Sequence, residues 1–187
     1  DRPVPDVTVG FAFGAPLPSG AKAALVPAQV ARTDRDGRFV IAGLAPGVYA
    51  IHPGYGAGDG WVATSVGLHA AVTAGDETDA GDQTVCREIA PLRPRPGETL
   101  ADTLPRLRWT AVAEADSYGV FLDGLYGGAV AVPAWAPPPE AALQPGAHEL
   151  EVVAFTRDLR LMGWTEGRVR FLVATPAPAR GSPSVWP

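Results

Sequence analysis

The sequence contains one cysteine, one lysine, one methionine and no asparagine among its 187 residues. A single cysteine, Cys86, excludes an intrachain disulfide, so the fold must be held together by packing. The absence of asparagine removes every N-x-[ST] glycosylation site. The cysteine content by itself is compatible with a bacterial periplasm or cell surface as well as with a cytosol.

The chain also lacks a long hydrophobic run. Its longest apolar stretch, residues 129–139, contains four prolines, whereas a membrane-spanning helix needs roughly 20 consecutive apolar residues. We therefore expect no transmembrane segment. The net charge of −5 makes nucleic acid a poor partner, because binding to phosphates requires a basic surface.

The ends of the sequence give an expectation about its origin. The chain begins at Asp1 and has its only methionine at Met162, without a charged and apolar leader. We expect either a processed mature chain or a piece of a longer protein, and both favour export. The expected location is therefore extracytoplasmic, in the periplasm or at the surface of a bacterium.

Glycine and proline are abundant, with 22 and 20 copies, which argues against long helices. Residues 33–49, TDRDGRFVIAGLAPGVY, predict a hairpin turn, a strand, a second turn and the start of another strand. Phe39 and Ile41 share one face of the first strand, and Tyr49 and Ile51 continue this inward row. The predicted fold class is therefore all-β.

A shortened copy of this pattern returns later in the chain. The segment LQPGAH at residues 143–148 echoes LAPGVY at residues 44–49, which predicts two antiparallel β-sandwiches in tandem. Between them, residues 91–97 hold three prolines and predict a semi-rigid hinge. We expect one sandwich at residues 1–89, a second at residues 90–175, and a Pro-rich tail at residues 176–187.

Alternating rows of apolar residues predict strands in both halves. In the first half they lie at residues 7–13, 21–25, 30–33, 38–42, 48–52, 61–66 and 83–89, with an extra one at 68–73. In the second half the predicted inward residues are Leu107, Trp109, Tyr118, Val120, Leu122, Leu150, Val152, Ala154, Val169, Phe171 and Val173. Each row has the two-residue period of a strand with one buried face.

The first half resembles a known family. The segment PLPSGAKAALV followed by TDRDGRFVIAGLAPGVYAI is similar to the carboxypeptidase regulatory-like domain, a transthyretin-like sandwich. The resemblance covers about residues 4–89. Such modules often accompany a peptidase, but the zinc-binding catalytic half of that enzyme is not in this sequence, so the resemblance implies no activity.

The second half resembles a fibronectin type III-like or immunoglobulin-like sandwich. The segments PRLRWTAVAEADSYGVFLD, LQPGAHELEVVAF and GWTEGRVRFLV carry the resemblance in that order. In that family the position of His148 usually holds a tyrosine, whose hydroxyl ties the corner to nearby backbone. An imidazole must replace that bond here, or the bond is absent.

A glycine-rich loop, GYGAGDGW at residues 54–61, is the candidate ligand-binding site. Tyr55 and Trp61 are suited to stacking on a sugar ring, and Asp59 between them is suited to bonding its hydroxyls. The alternative is that Trp61, which opens a strand, only caps the core.

Two other groups of residues are candidate partner-binding sites. Trp135 and the prolines that follow it, near Tyr126, have the flat apolar character of a protein contact, with core packing or edge protection as the alternative. Arg168 and Arg170 point outward, either as a solvated strand face or toward an acidic partner. In the tail, Trp186 is the expected anchor on a partner or neighbouring subunit.

No catalytic or metal-binding pattern stands out. Asp34 and Asp36 form half of a calcium loop, but the glutamate at its twelfth position is missing, so a plain hairpin turn is favoured. His52, His69 and His148 lack metal-ligand spacing, and no serine has G-x-S-x-G surroundings. We expect no enzyme, no cofactor and no metal.

These observations leave three hypotheses for function. The first is a non-enzymatic accessory subunit that makes protein contacts within a larger extracytoplasmic assembly, free or membrane-attached. The second is a carbohydrate-binding module of a surface or secreted protein. The third is a pair of domains appended to a secreted hydrolase.

Overall fold

The computed structural model describes residues 2–13, 30–54, 60–64 and 68–175. The described chain is all-β, as the sequence predicts, with one short 3-10 helix at Pro139–Ala141. Its strands are β1 Thr8–Phe13, β2 Val30–Arg32, β3 Gly47–Pro53, β4 Trp61–Ala63, β5 Leu68–Val72, β6 Val85–Glu88, β7 Pro91–Arg93, β8 Thr99–Leu100, β9 Leu107–Trp109, β10 Ser117–Leu122, β11 Leu125–Val130, β12 Ala134–Trp135, β13 Gly146–Phe155, β14 Leu161–Trp164 and β15 Val169–Val173. No helix in these residues is long and apolar enough to cross a membrane.

The first half contains a four-stranded antiparallel sheet in the order β2-β1-β3-β5. Val9 of β1, Ile51 of β3 and Ala70 of β5 form its buried cluster, and Phe39 packs against them. Tyr49 is 7% exposed, so the predicted inward row of Tyr49 and Ile51 is confirmed. The predicted strand at residues 21–25 lies outside the described residues.

The predicted strand at residues 38–42 is absent, although the turn before it forms as expected. Asp34 N donates to Arg38 O at 2.8 Å and Gly37 N donates to Asp34 O at 3.0 Å. The ladder does not continue, because the backbone N–H of Arg38 donates to the side chain of Asp34 at 2.9 Å, while the carbonyl oxygen of Asp34 accepts from Gly37. The two-residue alternation survives without strand pairing, since Phe39 is partly buried while Val40 is 84% exposed.

The second half has two sheets that enclose a larger core. One sheet has the order β12-β9-β7, and the other continues from β11 through β10 to β13, which pairs with both β14 and β15. Tyr118, Val120, Leu150, Val152 and Phe171 are among the core residues, each at most 3% exposed. The inward rows predicted for this half are confirmed, with Leu122 only partly buried at the edge of the cluster.

The proline-rich segment at residues 91–97 also belongs to the second half. Pro91–Arg93 form β7, which pairs antiparallel with β9, and the side chain of Pro94 is fully buried. Further along, Gly97 N donates to Arg170 O at 2.7 Å. The residues predicted as a hinge therefore supply an outer strand of a sheet and a bonded turn.

Strand β6 joins the two halves through backbone hydrogen bonds. It pairs antiparallel with β4 of the first half, where Val62 lies opposite Cys86. On its other edge it pairs parallel with β14 of the second half, where Gly163 lies opposite Arg87. Ile89 N then donates to Trp164 O at 2.9 Å. One continuous sheet, β11-β10-β13-β14-β6-β4, thus runs through both halves.

Gly163 lies where this junction is tightest. A Cβ atom there would lie 2.8 Å from Val112 Cγ2 and 3.1 Å from the carbonyl oxygen of Arg87. We expect Gly163→Ala to lower the free energy of unfolding by about 1–3 kcal/mol. The added methyl group must push away either the Val112 side chain or the β6 backbone at Arg87. Urea denaturation monitored by tryptophan fluorescence measures this change.

Gly119→Ala is the matched control, since this glycine also lies within a strand of the same sheet. A Cβ there would make only ordinary contacts, the nearest at 3.6 Å to Phe155, so a change within about 0.5 kcal/mol is expected. Equal stability of the Gly163→Ala protein and the unmodified protein would contradict the close β6–β14 contact.

Candidate interaction surfaces

The predicted sugar-binding loop is only partly described. Tyr55 and Asp59 lie outside the described residues. Trp61 is partly buried in β4, and the guanidinium carbon of Arg87 lies 3.8 Å from the centroid of its ring. One face of this indole is therefore covered by a cation of the same chain, which leaves at most the other face for stacking on a sugar.

Trp135 packs against a pair of glycines in β11. A Cβ atom at Gly127 would lie 3.0 Å from Cζ2 of Trp135, and one at Gly128 would lie 3.9 Å from its Nε1. The indole also contacts the core of the second half. These contacts correspond to the core-packing alternative for Trp135, so most of this ring is already in contact with its own chain.

Tyr126 differs from Trp135 because it is 63% exposed. It lies on β11, the last strand at one end of the sheet, directly opposite Phe121 of β10. The two ring centroids are 5.5 Å apart with an interplanar angle of 57°. Tyr126 therefore offers an exposed aromatic surface held by a neighbouring ring.

Three aromatic rings surround Gly119 on the solvent side of the sheet, and we call Phe121, Tyr126 and Phe155 with this glycine the aromatic platform. The nearest ring carbons to a Cβ built at Gly119 are Cε2 atoms of Phe155, Phe121 and Tyr126, at 3.6, 3.7 and 3.8 Å. The core side chains of the same strands, Tyr118 and Val120, alternate with these residues and point the other way.

A network of ion pairs lies beside the platform. The carboxylate of Glu149 accepts hydrogen bonds from Nη1 of Arg168 at 3.0 Å and from Nε of Arg170 at 2.9 Å. The carboxylate of Glu151 lies 3.8 Å from Nε of Arg168 and accepts the indole N–H of Trp164 at 2.9 Å. The hydrogen bonds from Arg168 and then Arg170 hold the pKa of Glu149 below its usual value. Both arginines point outward, as predicted, but they are paired within the chain.

The imidazole of His148 bonds nearby backbone, which is the first of the two outcomes that the sequence allowed. Its Nε2 lies 2.7 Å from the carbonyl oxygen of Gln144, and its Nδ1 lies 2.7 Å from a carboxylate oxygen of Asp123. Both partners are acceptors, so both ring nitrogens must carry a proton to donate. Burial opposes the charge, but the bonds from Gln144 and Asp123 outweigh it and raise the pKa of His148.

The first half holds the equivalent corner with a phenol. Tyr49 donates its hydroxyl proton to the carbonyl oxygen of Ala45 at 3.0 Å, four residues earlier, as His148 does to Gln144. The repeated sequence pattern therefore corresponds to a repeated bond. The second copy adds a charged partner, Asp123, which also accepts the backbone N–H of Glu149 at 2.8 Å.

The described residues contain no group of three or more His, Cys, Asp or Glu side chains that could hold a metal ion. Asp34 instead accepts the backbone N–H groups of Asp36 and Arg38 at 2.8 and 2.9 Å. The bond from Arg38, which has the larger effect, and the bond from Asp36 lower the pKa of the Asp34 carboxyl.

Burial raises the pKa of the Cys86 thiol to about 11, which keeps it protonated near neutral pH.

The sequence analysis identified Tyr126 but not the rest of the platform. The missed residues are Gly119, Phe121 and Phe155 of the platform, and Glu151 and Trp164 beside it. The available signal was the outward-facing positions of each predicted strand. Phe121 follows the inward residue Val120, and Phe155 follows the inward residue Ala154, so both face outward. Trp186, the predicted anchor of the tail, lies outside the described residues.

The corner predicts how stability depends on pH. Because the pKa of His148 is raised above 6.5 in the folded chain, its contribution is complete below the unfolded pKa and is lost as pH rises through the folded value. We expect the unmodified protein to lose about 1 kcal/mol of stability relative to His148→Tyr between about pH 6 and pH 9. Urea denaturation of both proteins across this range measures the difference.

Asp123→Asn is the control for the charge. Asp123 has a φ of 53°, which asparagine tolerates, so the backbone turn is expected to persist while the pKa of His148 falls. NMR titration of the imidazole measures that pKa. The other titratable groups are the same in all three proteins, so they do not contribute to the differences between the stability curves. They include His52, whose pKa is lowered by burial. Parallel stability curves for His148→Tyr and the unmodified protein would contradict the role of the imidazolium.

Comparisons with known proteins give a partial likeness to solved structures. No family model matches the chain, and no curated protein matches it. Part of the chain is similar to a solved structure of fibronectin(III)-like modules of Clostridium thermocellum CbhA. The two share 17% sequence identity with a TM-score of 0.37, over 48% of this chain and 99% of that one.

Proposed function

We propose that this chain is a non-enzymatic structural subunit that holds partners at a fixed spacing in a larger extracytoplasmic, bacterial assembly. In this proposal residues 1–89 are a carboxypeptidase regulatory-like, transthyretin-like sandwich. Residues 90–175 are a fibronectin type III-like or immunoglobulin-like sandwich, and residues 176–187 are a tail that reaches a partner through Trp186. Sandwiches in series are suited to spacing because each supplies its own core.

The observation that carries the proposal is the junction between the halves. A chain of two modules joined only by a flexible linker leaves their spacing free. Here β6 bonds to β4 on one edge and to β14 on the other. In addition, Ile89 N donates to Trp164 O at 2.9 Å. Backbone bonds across the boundary favour a rigid spacer over a pair of independently moving domains.

The uncharged edge at β11 is the proposed protein contact. Residues 124–139 contain no charged side chain, and within them Leu125 is 74% and Val132 is 56% exposed. Edge strands without charges are prone to pair with other chains, and exposed apolar patches mark interaction sites. Arg168 and Arg170 are less suited to this role, because they already pair with Glu149 and Glu151.

Photo-crosslinking in the source cells tests the contact. A photoreactive amino acid at position 125 is expected to give a discrete adduct with another protein, because Leu125 lies on the exposed edge. The same amino acid at position 159 is the matched control, since Leu159 is 78% exposed on the turn between β13 and β14. No adduct at either position, or the same adducts at both, would contradict the proposed contact.

Small-angle X-ray scattering tests the spacer itself. The unmodified protein is expected to scatter as one rigid body, because the β4-β6-β14 ladder joins its halves. Gly163→Ala, which crowds that ladder, is expected to increase the maximum dimension and to broaden the Kratky profile, whereas Gly119→Ala leaves both unchanged. Multidomain flexibility in the unmodified protein would contradict the proposal.

A further inference from the structure

We propose that the aromatic platform, formed by Phe121, Tyr126 and Phe155 around Gly119, is a binding site for a neutral polysaccharide. This site lies in the second half, and none of its residues belongs to the glycine-rich segment at residues 54–61. The inference is separate from the spacer function, because it concerns the face of the sheet rather than its edge.

The arrangement of the rings provides an apolar surface for a sugar. Tyr126 and Phe121 pair across two strands, and Phe155 contacts the same glycine from β13. Phe121 and Phe155 are partly exposed, and Tyr126 is 63% exposed. The C–H face of a pyranose ring is apolar and matches such rings, whose burial dominates the energy of many binding sites.

Gly119 lies beneath the three rings, where it is buried. Its backbone does not require a glycine for a positive φ, and a Cβ would make only ordinary contacts at 3.6 Å or more. Glycine within a strand weakens the strand, and often marks a place where another group approaches closely. Because Gly119 is buried although it has no side chain, the three rings cover the strand here and form one apolar surface.

Polar groups at one side of the platform are already oriented. Glu151 lies directly opposite Phe121 in the pairing of β10 with β13, and Trp164 and Arg168 hold its carboxylate. A carboxylate has four lone-pair sites, so these contacts leave acceptor capacity for hydroxyl groups. Because the carboxylate is held in advance, a ligand loses little entropy in ordering it.

The balance of charge favours a neutral ligand. Two carboxylates, Glu149 and Glu151, face two guanidinium groups, Arg168 and Arg170, in one network. An acidic or basic peptide would have to compete with these internal pairs. Hydroxyl groups can instead donate to the carboxylates and accept from the guanidinium N–H groups without breaking them. A neutral chain of pyranose rings has both the apolar faces and the hydroxyls that this surface requires.

Native affinity electrophoresis of the full chain tests the site. Gels containing hydroxyethyl cellulose, xylan, galactomannan or dextran serve as probes, and retardation in at least one is expected. Tyr126→Ala is expected to weaken the association about tenfold, because it removes the most exposed ring. Tyr126→Phe keeps the ring and is expected to bind within about threefold of the unmodified protein.

Leu125→Ala is the matched control, since Leu125 neighbours Tyr126, is 74% exposed and lies outside the platform. Its binding is expected to be unchanged, and circular dichroism of each variant verifies folding. Absence of retardation in all four gels would overturn the proposal, as would equal retardation of Tyr126→Ala and the unmodified protein. Self-association or protein capture that requires Tyr126, without polysaccharide binding, would make the platform a protein contact instead.

Discussion

The parallel pairing of β6 with β14 is the interaction on which the arrangement of the whole chain depends. It brings the last strand of the first half against the edge of the second half, with Gly163 opposite Arg87. The absence of a side chain at Gly163 permits this approach, because Val112 and Ile89 fill the space where a Cβ would lie. The same pairing makes one continuous sheet from β11 of the second half to β4 of the first half. A boundary between two cores thereby becomes a bonded connection.

The corners of the two halves form the same backbone hydrogen bond with different side chains. In each, a side chain at the start of a long strand bonds the carbonyl four residues earlier, through a phenol at Tyr49 and an imidazole at His148. The phenol has one proton to donate. The imidazole has a second nitrogen, which recruits Asp123 from the β10–β11 turn. The substitution therefore links two loops and makes the second corner sensitive to pH.

The surface of the second half separates into two regions with different chemistry. Along the β11 edge, uncharged residues such as Leu125 expose apolar side chains and backbone groups. On the sheet face, aromatic rings lie beside carboxylates and guanidinium groups that neutralise one another. Because paired charges are less available to partners, the arginines stabilise the face rather than attract an acidic protein. Protein contact through Leu125 and ligand recognition through the platform can therefore occupy adjacent surfaces, with Tyr126 on the strand that borders both.

Local sequence was sufficient to predict the all-β class, the inward rows of both halves, the turn at Asp34 and the repeated pattern at residues 44–49 and 143–148, because each depends on neighbours a few residues apart. It did not show whether residues 38–42 join a ladder, since the side chain of Asp34, rather than its carbonyl oxygen, accepts the backbone N–H of Arg38. Only the three-dimensional contacts showed that residues 91–97 form a strand and a bonded turn instead of a hinge, that Arg168 is paired with Glu149, and that Phe155 and Tyr126 both lie beside Gly119. These contacts join positions far apart in the chain, and strand order sets them, which local periodicity does not encode.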